Sequence, residues 1–429
     1  MPVLHDHVIV PTLGACRYPA PLQATVPEAA RVPAEILQAG EGAVGADSAS
    51  FELAGPRPRL FFDPARTRAG IVTCGGLCPG LNNVIRSLFL ALRHTYGVPE
   101  VLGFCGGYRG LDPRYGGEPL VLTPERVRDI HHLGGTILGT SRGPVDVGVA
   151  IEHLMRRQVS VLFTVGGDGT QRGAHALHRE AARRGYPLAV VGVPKTIDND
   201  ICFVSRTFGY LTAVEEAARV LAGAHAEAHS VANGISLVKL MGRQAGFIAA
   251  GAAIASQDVN FVLVPEVPFV LEGPHGFLAA LERRVRARGH AVVVVAEGAG
   301  QDLLGTDPTA RDASGNPVLG DIGPVLRGRI AAHCASVALP VVLRYFDPSY
   351  VIRSRPANAE DAILCDFYAR HAVHAAMAGK TDLVIGLVHD VFVHVPIALL
   401  LERQPKRLAP EGMIWQGVLA TTGQPARFA

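Results

Sequence analysis

VSVLFTVGGDGTQRG, residues 159–173, holds the pattern on which the fold turns. Its first half is an almost unbroken apolar run rich in valine, the composition of a strand buried on both faces. Glycines follow at once: Gly166, Gly167, Gly169 and Gly173 surround a single carboxylate, Asp168, and Thr170. Crowded glycines with one acid suit a polyphosphate lying on backbone amides while the acid holds Mg2+, directly or through water. The plainer alternative is a glycine-rich turn with a solvated aspartate. Outward from this stretch the same rhythm recurs, in AGIVTC, EVLGF, LAVVGV, ISLVKL, FVLVPE, AVVVVAE and DLVIGLV. Most of these runs end in Gly or Pro, and helical patterns follow several of them. One is expected to open at Asn82–Asn83 as its N-cap, with Val84, Ile85, Leu88, Phe89 and Leu92 on one side; another runs over Leu211–Ala228. Strands alternating with helices predict an α/β fold with mainly parallel sheets. In such folds ligands bind beyond the carboxyl ends of the strands, where loops meet helix N-termini.

Two further strand ends carry chemistry. TCGGLCPGLNN, residues 73–83, offers Gly75, Gly76 and Gly80 for close approach to a phosphate before a helix start, or a tight turn that binds nothing. The Cys74/Cys78 pair lacks a second ligand pair nearby, which argues against zinc. VPKTIDND, residues 193–200, sets Asp198 and Asp200 two apart, with Lys195 and Thr196 beside them. One acid there can act as general base while its neighbour holds a metal or tunes it, and Lys195 can neutralise a phosphate. An Asx-turn using Asn199 and Asp200 is the bland reading. Met241-Gly242-Arg243, Glu297, Arg344, Tyr350 and Arg353 form a dispersed set in which the arginines match phosphate oxygens. Three tempting patterns are set aside. GTSRG at Gly139–Gly143 needs a strand-to-helix elbow and ordered partners to be an esterase. AGKT at Ala378–Thr381 has His374 where a phosphate loop needs its first glycine, and reads instead as a helix cap at Gly379. His225 and His229 share a helical face, but the intervening glutamate is misplaced for a zinc protease.

Composition bounds the rest. The chain has 429 residues, 48% hydrophobic and 18% charged, enough apolar material for two or three domains at roughly 150 residues each, and too much for a disordered chain. Forty Lys+Arg against 38 Asp+Glu leave +2, a balance that argues against nucleic-acid and membrane-surface partners. Seven scattered cysteines do not suggest a disulfide scaffold. No secretory signal is visible, and no apolar run approaches the ~18 residues of a membrane span. A reduced, cytoplasmic protein is expected. The first sixty-odd residues are punctuated by Pro and Gly, and Gly40–Ser50 reads as a flexible linker.

The ordered set GGLCPGLNN, LGTSRG, VGGDGTQRGA, GVPKTIDND, RTFGY, LVKLMGRQAGF, VPEVPF and DPSYVIR resembles the 6-phosphofructokinase family. The likeness is to its longer branch, which includes ATP-dependent enzymes of plants and trypanosomatids, and it runs from about Leu60 to the C-terminus. The resemblance implies two Rossmann-like domains with an N-terminal extension. The expected boundaries are an extension over 1–68 and a phosphoryl-donor domain over 69–210, completed by a returning C-terminal segment. A sugar-phosphate domain over 211–395 and a tail over 396–429 follow. It implies transfer of the γ-phosphoryl group of ATP to the 1-hydroxyl of fructose 6-phosphate, assisted by Mg2+, in a homodimer or homotetramer. Gly75, Tyr108, Arg142, Gly143, Gly167, Asp168, Gly169, Thr170 and Gly173 are then expected at the nucleotide, with Asp168 positioning the metal. Asp198 would take the proton from the sugar hydroxyl, supported by Thr196 and Asp200. Thr196, Ile197, Asp198, Met241, Gly242, Arg243, Glu297, Tyr350 and Arg353 would line the sugar-phosphate site, with Arg243 also in the catalytic set. Arg344 would reach that site from a neighbouring subunit. Gly234 and Tyr350 differ from the arginine and histidine of the best-known bacterial enzymes, which weakens any analogy to their allosteric control.

Two positions bear on the phosphoryl donor. Diphosphate-using members usually carry a second Asp after the metal-binding one, and Lys before TIDND. This chain has Gly169 and Lys195. A carboxylate at 169 would fill the space of the α-phosphate and repel its charge, whereas Lys195 suits either donor. ATP is therefore expected, with a diphosphate-dependent enzyme as the alternative. NAD and lipid kinases also carry GGDGT but have no need of TIDND or MGR. A non-catalytic regulatory subunit should have lost Asp168 or Asp198, and both are present.

Overall fold

The computed structural model describes residues 8–35, 49–143, 145–305, 309–311 and 317–429; residues 40–48, most of the expected linker, lie outside them. The chain divides into two compact units. The first comprises Met1–Thr196, Ile201–Gly209 and Arg355–Gln404. The second comprises Ile197–Asp200, Tyr210–Ser354 and Pro405–Ala429.

The first unit is built on a nine-stranded sheet. Its centre runs Leu383–Val388, Ala189–Pro194, Val161–Gly166, Arg68–Thr73, Glu100–Phe104, all parallel to their neighbours. Val161–Gly166 and Ala189–Pro194 are buried at every residue, which explains their unbroken apolar composition. Antiparallel strands finish both edges. Leu120–Val121 lies on one side; Val391–Pro396, Ser50–Leu53 and Arg31–Pro33 follow on the other. The strand at Val391–Pro396 is reached by a two-residue hairpin in which His389 and Asp390 both take positive φ, 53° and 61°. A hairpin turn needs that geometry, but His-Asp is not the Asn-Gly signature that announces it.

Among the described residues before Leu60, Arg31–Pro33 and Ser50–Leu53 are strands of this sheet, while Tyr18–Pro19 pairs with Arg59–Leu60 in a separate two-stranded sheet. Other contacts tie this region to the same unit. The Leu13 amide donates to the Gly379 carbonyl (2.8 Å) and the Thr381 amide to that of Pro11 (3.0 Å). Glu52 accepts from Arg57 (2.6 Å), Lys380 (2.6 Å) and His394 (3.2 Å), and Arg57 is only 1% exposed. Buried ions persist only when paired in this way. Lys380 is thus committed to an ionic cluster, and the neighbouring Gly379, at φ 71°, ends the Ala359–Met377 helix with its amide on Ala376 (2.9 Å). The other helix of this unit with an expected start differs in one detail. It begins at Leu81 behind Gly80, and Asn82 lies inside it. Instead of capping, the Asn82 side chain accepts from the Ile137 amide (2.9 Å) and donates to the Leu133 carbonyl (3.1 Å).

The second unit carries a four-stranded parallel sheet ordered Phe261–Leu263, His290–Ala296, Gly234–Leu240, Val342–Phe346. Alternation along the strands separates two cores. Val238, Leu240, Val292, Val294 and Ala296 pack with helices Tyr210–His229 and Phe247–Ser256. Ile235, Leu237, Ala291, Val293 and Val295 pack with helices Phe277–Arg288 and Ile322–Ser336.

The chain therefore changes unit at places other than those expected. Residues 355–395, expected in the sugar-phosphate domain, return to the first unit, because DLVIGLV pairs with Ala189–Pro194 and needs a buried neighbour on each side. Residues 405–429, expected as a tail, pack into the second unit through Leu408, Trp415, Val418 and Phe428. Among the described residues no helix is long and apolar enough to cross a membrane.

Candidate active site

In the first unit, three adjacent parallel strands deliver their loops side by side. Arg68–Thr73 leads into Cys74–Gly80, Val161–Gly166 into Gly167, and Ala189–Pro194 into Lys195. The loops are tied by backbone bonds, Cys74 amide to Val165 carbonyl (2.9 Å) and Lys195 amide to Gly166 carbonyl (3.1 Å). The Gly75 amide donates to the Ser141 carbonyl (3.0 Å), and the Thr140 hydroxyl donates to the Gly75 carbonyl (2.6 Å). The LGTSRG segment thus lies on the first loop, with Arg142 exposed and Gly143 at φ 106°. The Lys195 ammonium reaches back to the Gly76 carbonyl (2.7 Å).

The helix Asp168–Arg183 starts directly after Gly167 with no intervening loop. Its sixteen residues present their first amides and the positive end of the helix dipole at the strand ends. Asp168 is half-buried and Gly169 exposed there, while Thr170 and Gln171 are buried behind them. Tyr108 is only 5% exposed, and its hydroxyl donates to the Thr170 carbonyl (2.5 Å). Its ring lies over Gly173, where a Cβ would come within 2.3 Å of it. Sequence reasoning set Tyr108 at the nucleotide; the structure has it underpinning the helix's first turn. Gln171, which the sequence did not single out, donates to the Gly166 carbonyl (3.0 Å) and holds the same turn from the other side. Cys74 is buried, which pushes its thiol up to about 12, and the Cys78 thiol donates to the Phe208 carbonyl (3.3 Å). Ser141 of GTSRG sits in a loop without the strand an esterase elbow requires. Thr196 ends the first stretch of this unit, its carbonyl accepting from the Thr207 hydroxyl (2.7 Å).

In the second unit the ionisable side chains dominate. The Arg243 amide donates to the Asp198 carboxylate (3.4 Å). Burial first, then the negative charges of Asp200 and Glu297, push the Asp198 carboxyl up to about 8. Glu297 is also raised by burial, against the opposing pull of Arg243 and Lys239. Its position follows from parallel register: Leu240 pairs with Ala296, so Met241-Gly242-Arg243 and Glu297-Gly298 leave the sheet together. The backbones then touch so closely that a Cβ on Gly298 would lie 1.9 Å from the Arg243 carbonyl oxygen. Gly242 takes φ 132° in the same contact. Met241 is a core residue at 6% exposure, and Ile197 packs on that core. The Arg243 guanidinium donates to the Pro317 carbonyl (2.7 Å).

Lys239 was missed by sequence reasoning although the signal was present, a lone cation inside the buried strand Gly234–Leu240. It pairs with Asp321 and Asp347, each at 2.9 Å. Asp347 also accepts from the Ser349 hydroxyl (2.7 Å), so the short helix Ser349–Arg353 hangs from this ion cluster. On that helix Tyr350 is 72% exposed, with the Arg353 guanidinium over its ring at 4.4 Å. Arg344 pairs with Glu227 of its own chain (3.4 Å). His225 and His229 meet His290 with ring centroids 5.0–5.9 Å apart. Among the described residues no group of three or more His, Cys, Asp or Glu is arranged to hold a metal ion.

A model of the family described as Phosphofructokinase matches residues 68–376. The chain belongs to the phosphofructokinase family. It is 48% identical over 442 residues to an ATP-dependent 6-phosphofructokinase of Amycolatopsis methanolica, covering 99% of this chain and 96% of that protein. It is 46% identical to the ATP-dependent 6-phosphofructokinase of Trypanosoma brucei brucei, covering 88% and 78%. A pyrophosphate-dependent phosphofructokinase from Marinobacter aquaeolei shares the fold with a TM-score of 0.69 at 22% identity, covering 83% of this chain and 91% of that one. This phosphofructokinase fold agrees with the α/β architecture of mainly parallel sheets read from the sequence.

Proposed function

We propose that this chain is an ATP-dependent 6-phosphofructokinase, transferring the γ-phosphoryl group of ATP to the 1-hydroxyl of fructose 6-phosphate and yielding fructose 1,6-bisphosphate and ADP. The observation that carries this reading is the buried, raised carboxyl of Asp198 beside the Arg243 amide, in a member of a family of sugar-phosphate kinases. A carboxylate with that affinity for a proton is matched to general-base work near neutral pH. The bond from the γ-phosphorus to the ADP oxygen breaks, the bond to the sugar O1 forms, and the hydroxyl proton goes to Asp198. Asp200 and Glu297 keep Asp198 basic by their charge, and Arg243 and Arg353 bind the sugar phosphate. Glycines 75, 167 and 169 and the start of the Asp168–Arg183 helix receive the polyphosphate, with Lys195 and Arg142 beside it.

Mg2+ fits this donor set. The helix start offers one half-buried carboxylate, Asp168, and magnesium characteristically binds through one or two carboxylates plus substrate phosphates and water. When bound it neutralises charge on the transferring group. The exposed Gly169 leaves space for a nucleotide α-phosphate, which supports ATP over diphosphate as donor. An oligomer in which Arg344 exchanges Glu227 for a neighbour's site, and a cytoplasmic setting, belong to the same reading.

A coupled assay with fructose 6-phosphate tests it, comparing ATP with pyrophosphate. Turnover is expected with ATP. Turnover with pyrophosphate alone would reassign the donor, and none with either would overturn the reading.

A further inference from the structure

We propose that the segment after Gln404 is a working part of the acceptor site, a backbone clamp that positions the Ile197–Asp200 loop and the Met241–Gly246 loop; this rests on the kinase reading above. Three contacts within the second unit carry the inference. The Lys406 amide donates to the Asp200 carbonyl (2.7 Å), directly on the loop that bears Asp198. Two residues on, the Leu408 amide donates to the Glu266 carboxylate (2.9 Å). The same carboxylate accepts from the Gly246 amide with both oxygens (3.0 and 3.1 Å), at the end of the turn that carries Arg243. Glu266 thus ties the clamp to the arginine's turn, and Lys406 ties it to the base's loop.

The side chains fit the same role. Leu408 is 2% exposed in the core formed with helix Phe247–Ser256, and the Lys406 ammonium lies over the Phe247 ring (5.3 Å). Helix Met413–Thr422 packs on Phe247–Ser256 through Trp415 and Val418, anchoring the far end of the clamp. A half-buried carboxylate held by the amides of two separate segments is an expensive feature for a mere terminal tail. Its effect is to fix the spacing of the Asp198 loop from the Arg243 amide that contacts it. Phosphoryl transfer depends on such spacing, since about 1 Å of misplacement can cost about 10²-fold. Lys406 and Glu266 are therefore positioning residues that need not touch substrate.

The test separates the backbone bond from the side chain. Lys406→Pro removes the amide donor, whereas Lys406→Ala keeps it and removes the side chain together with its cation–π contact. Lys406→Pro should lower kcat by about 10²-fold, with KM for ATP within about twofold, since the donor loops lie in the other unit. Lys406→Ala should lose less than about threefold. Glu266→Ala should lose about tenfold in kcat and Glu266→Gln, which still accepts amide bonds, should recover most of it. Amide hydrogen exchange gives a readout without activity: residues 197–200 should exchange faster in Lys406→Pro than in the wild type. Equal losses for Lys406→Pro and Lys406→Ala, or unchanged exchange at 197–200 with a folded Lys406→Pro, would overturn the clamp. If Lys406→Pro does not fold, the glutamate pair decides: equal kcat in Glu266→Ala and wild type overturns it. Absence of wild-type turnover on fructose 6-phosphate would sink the kinase reading instead, and is scored on the wild type alone.

Discussion

Glu52 in the first unit and Asp198 in the second are both buried carboxylates, and their surroundings drive them in opposite directions. Burial alone would raise Glu52, but hydrogen bonds and charge from His394 and Lys380 more than offset it and hold the carboxyl well below its usual range. Asp198 has two acids for neighbours, Asp200 and Glu297, so charge adds to burial and the carboxyl rises. The contrast separates stabilising from functional use of a buried charge. A structural acid is given cations; a base is given acids, so that it holds a proton when one is offered. It also marks a difference between the units. The candidate donor site is made of backbone, glycines and one helix start, with a single half-buried acid at Asp168. The candidate acceptor site is made of ionisable side chains held at the carboxyl ends of the two inner strands of its sheet.

The strongest way to break this comparison is Asp198→Asn. Turnover should fall by about 10²–10⁴, the usual contribution of a general base. The same change should stabilise the fold at alkaline pH. The carboxyl is raised in the folded chain above about 3.9 unfolded, so its penalty is absent below that value and accumulates as pH rises toward about 8. Thermal melts should show the variant's advantage growing over that window; a constant difference would mean that Asp198 is not raised. Next in size, Gly169→Asp introduces an acid at the start of the donor helix. It should cut kcat/KM for ATP by about 10²–10³ through repulsion of the nucleotide, with fructose 6-phosphate KM little changed. Unchanged ATP kinetics would remove this position from donor choice.

The smallest effect concerns Glu52 and sharpens the contrast. Its folded carboxyl is depressed, so it contributes stability above about 4.3 that is lost as pH falls below that value. Glu52→Gln removes the buried carboxylate and leaves Arg57 and Lys380 only the exposed Glu28 (3.4 and 3.3 Å), which should cost about 3 kcal/mol at pH 7, shrinking toward pH 3. Denaturant melts across pH measure it, and a deficit that grows toward low pH would contradict the assignment. Turnover of the folded variant should be within about twofold of wild type, because the cluster is structural.

Much of the candidate site is legible in the amino-acid sequence, and for a local reason. GGDGT and TIDND declare themselves because phosphate binding and acid–base work demand particular residue types at the end of a strand, and strand ends are visible where valine runs stop. Lys239 and Glu266 are harder. Each is one charge in an apolar context, which says that a partner exists but not which one. Tyr108 adds a different lesson, since the family resemblance places it near the nucleotide but only the structure shows its hydroxyl bonded to the Thr170 carbonyl in the first turn of the donor helix. The hairpin at His389–Asp390 is hidden because its turn residues are not those that usually favour positive φ.

By itself the sequence determined the alternation of buried strands and helices, the loops that follow those strands, and the chemistry those loops can perform. These depend on residues close together in the chain. Only the tertiary structure decided that 355–404 completes the first sheet, that Glu52 lies among cations and Asp198 among acids, and that Lys406 closes on Asp200. The physical reason is that pairing of sheets and the field at a buried carboxylate are set by residues distant in sequence, and no local pattern records which of them will meet.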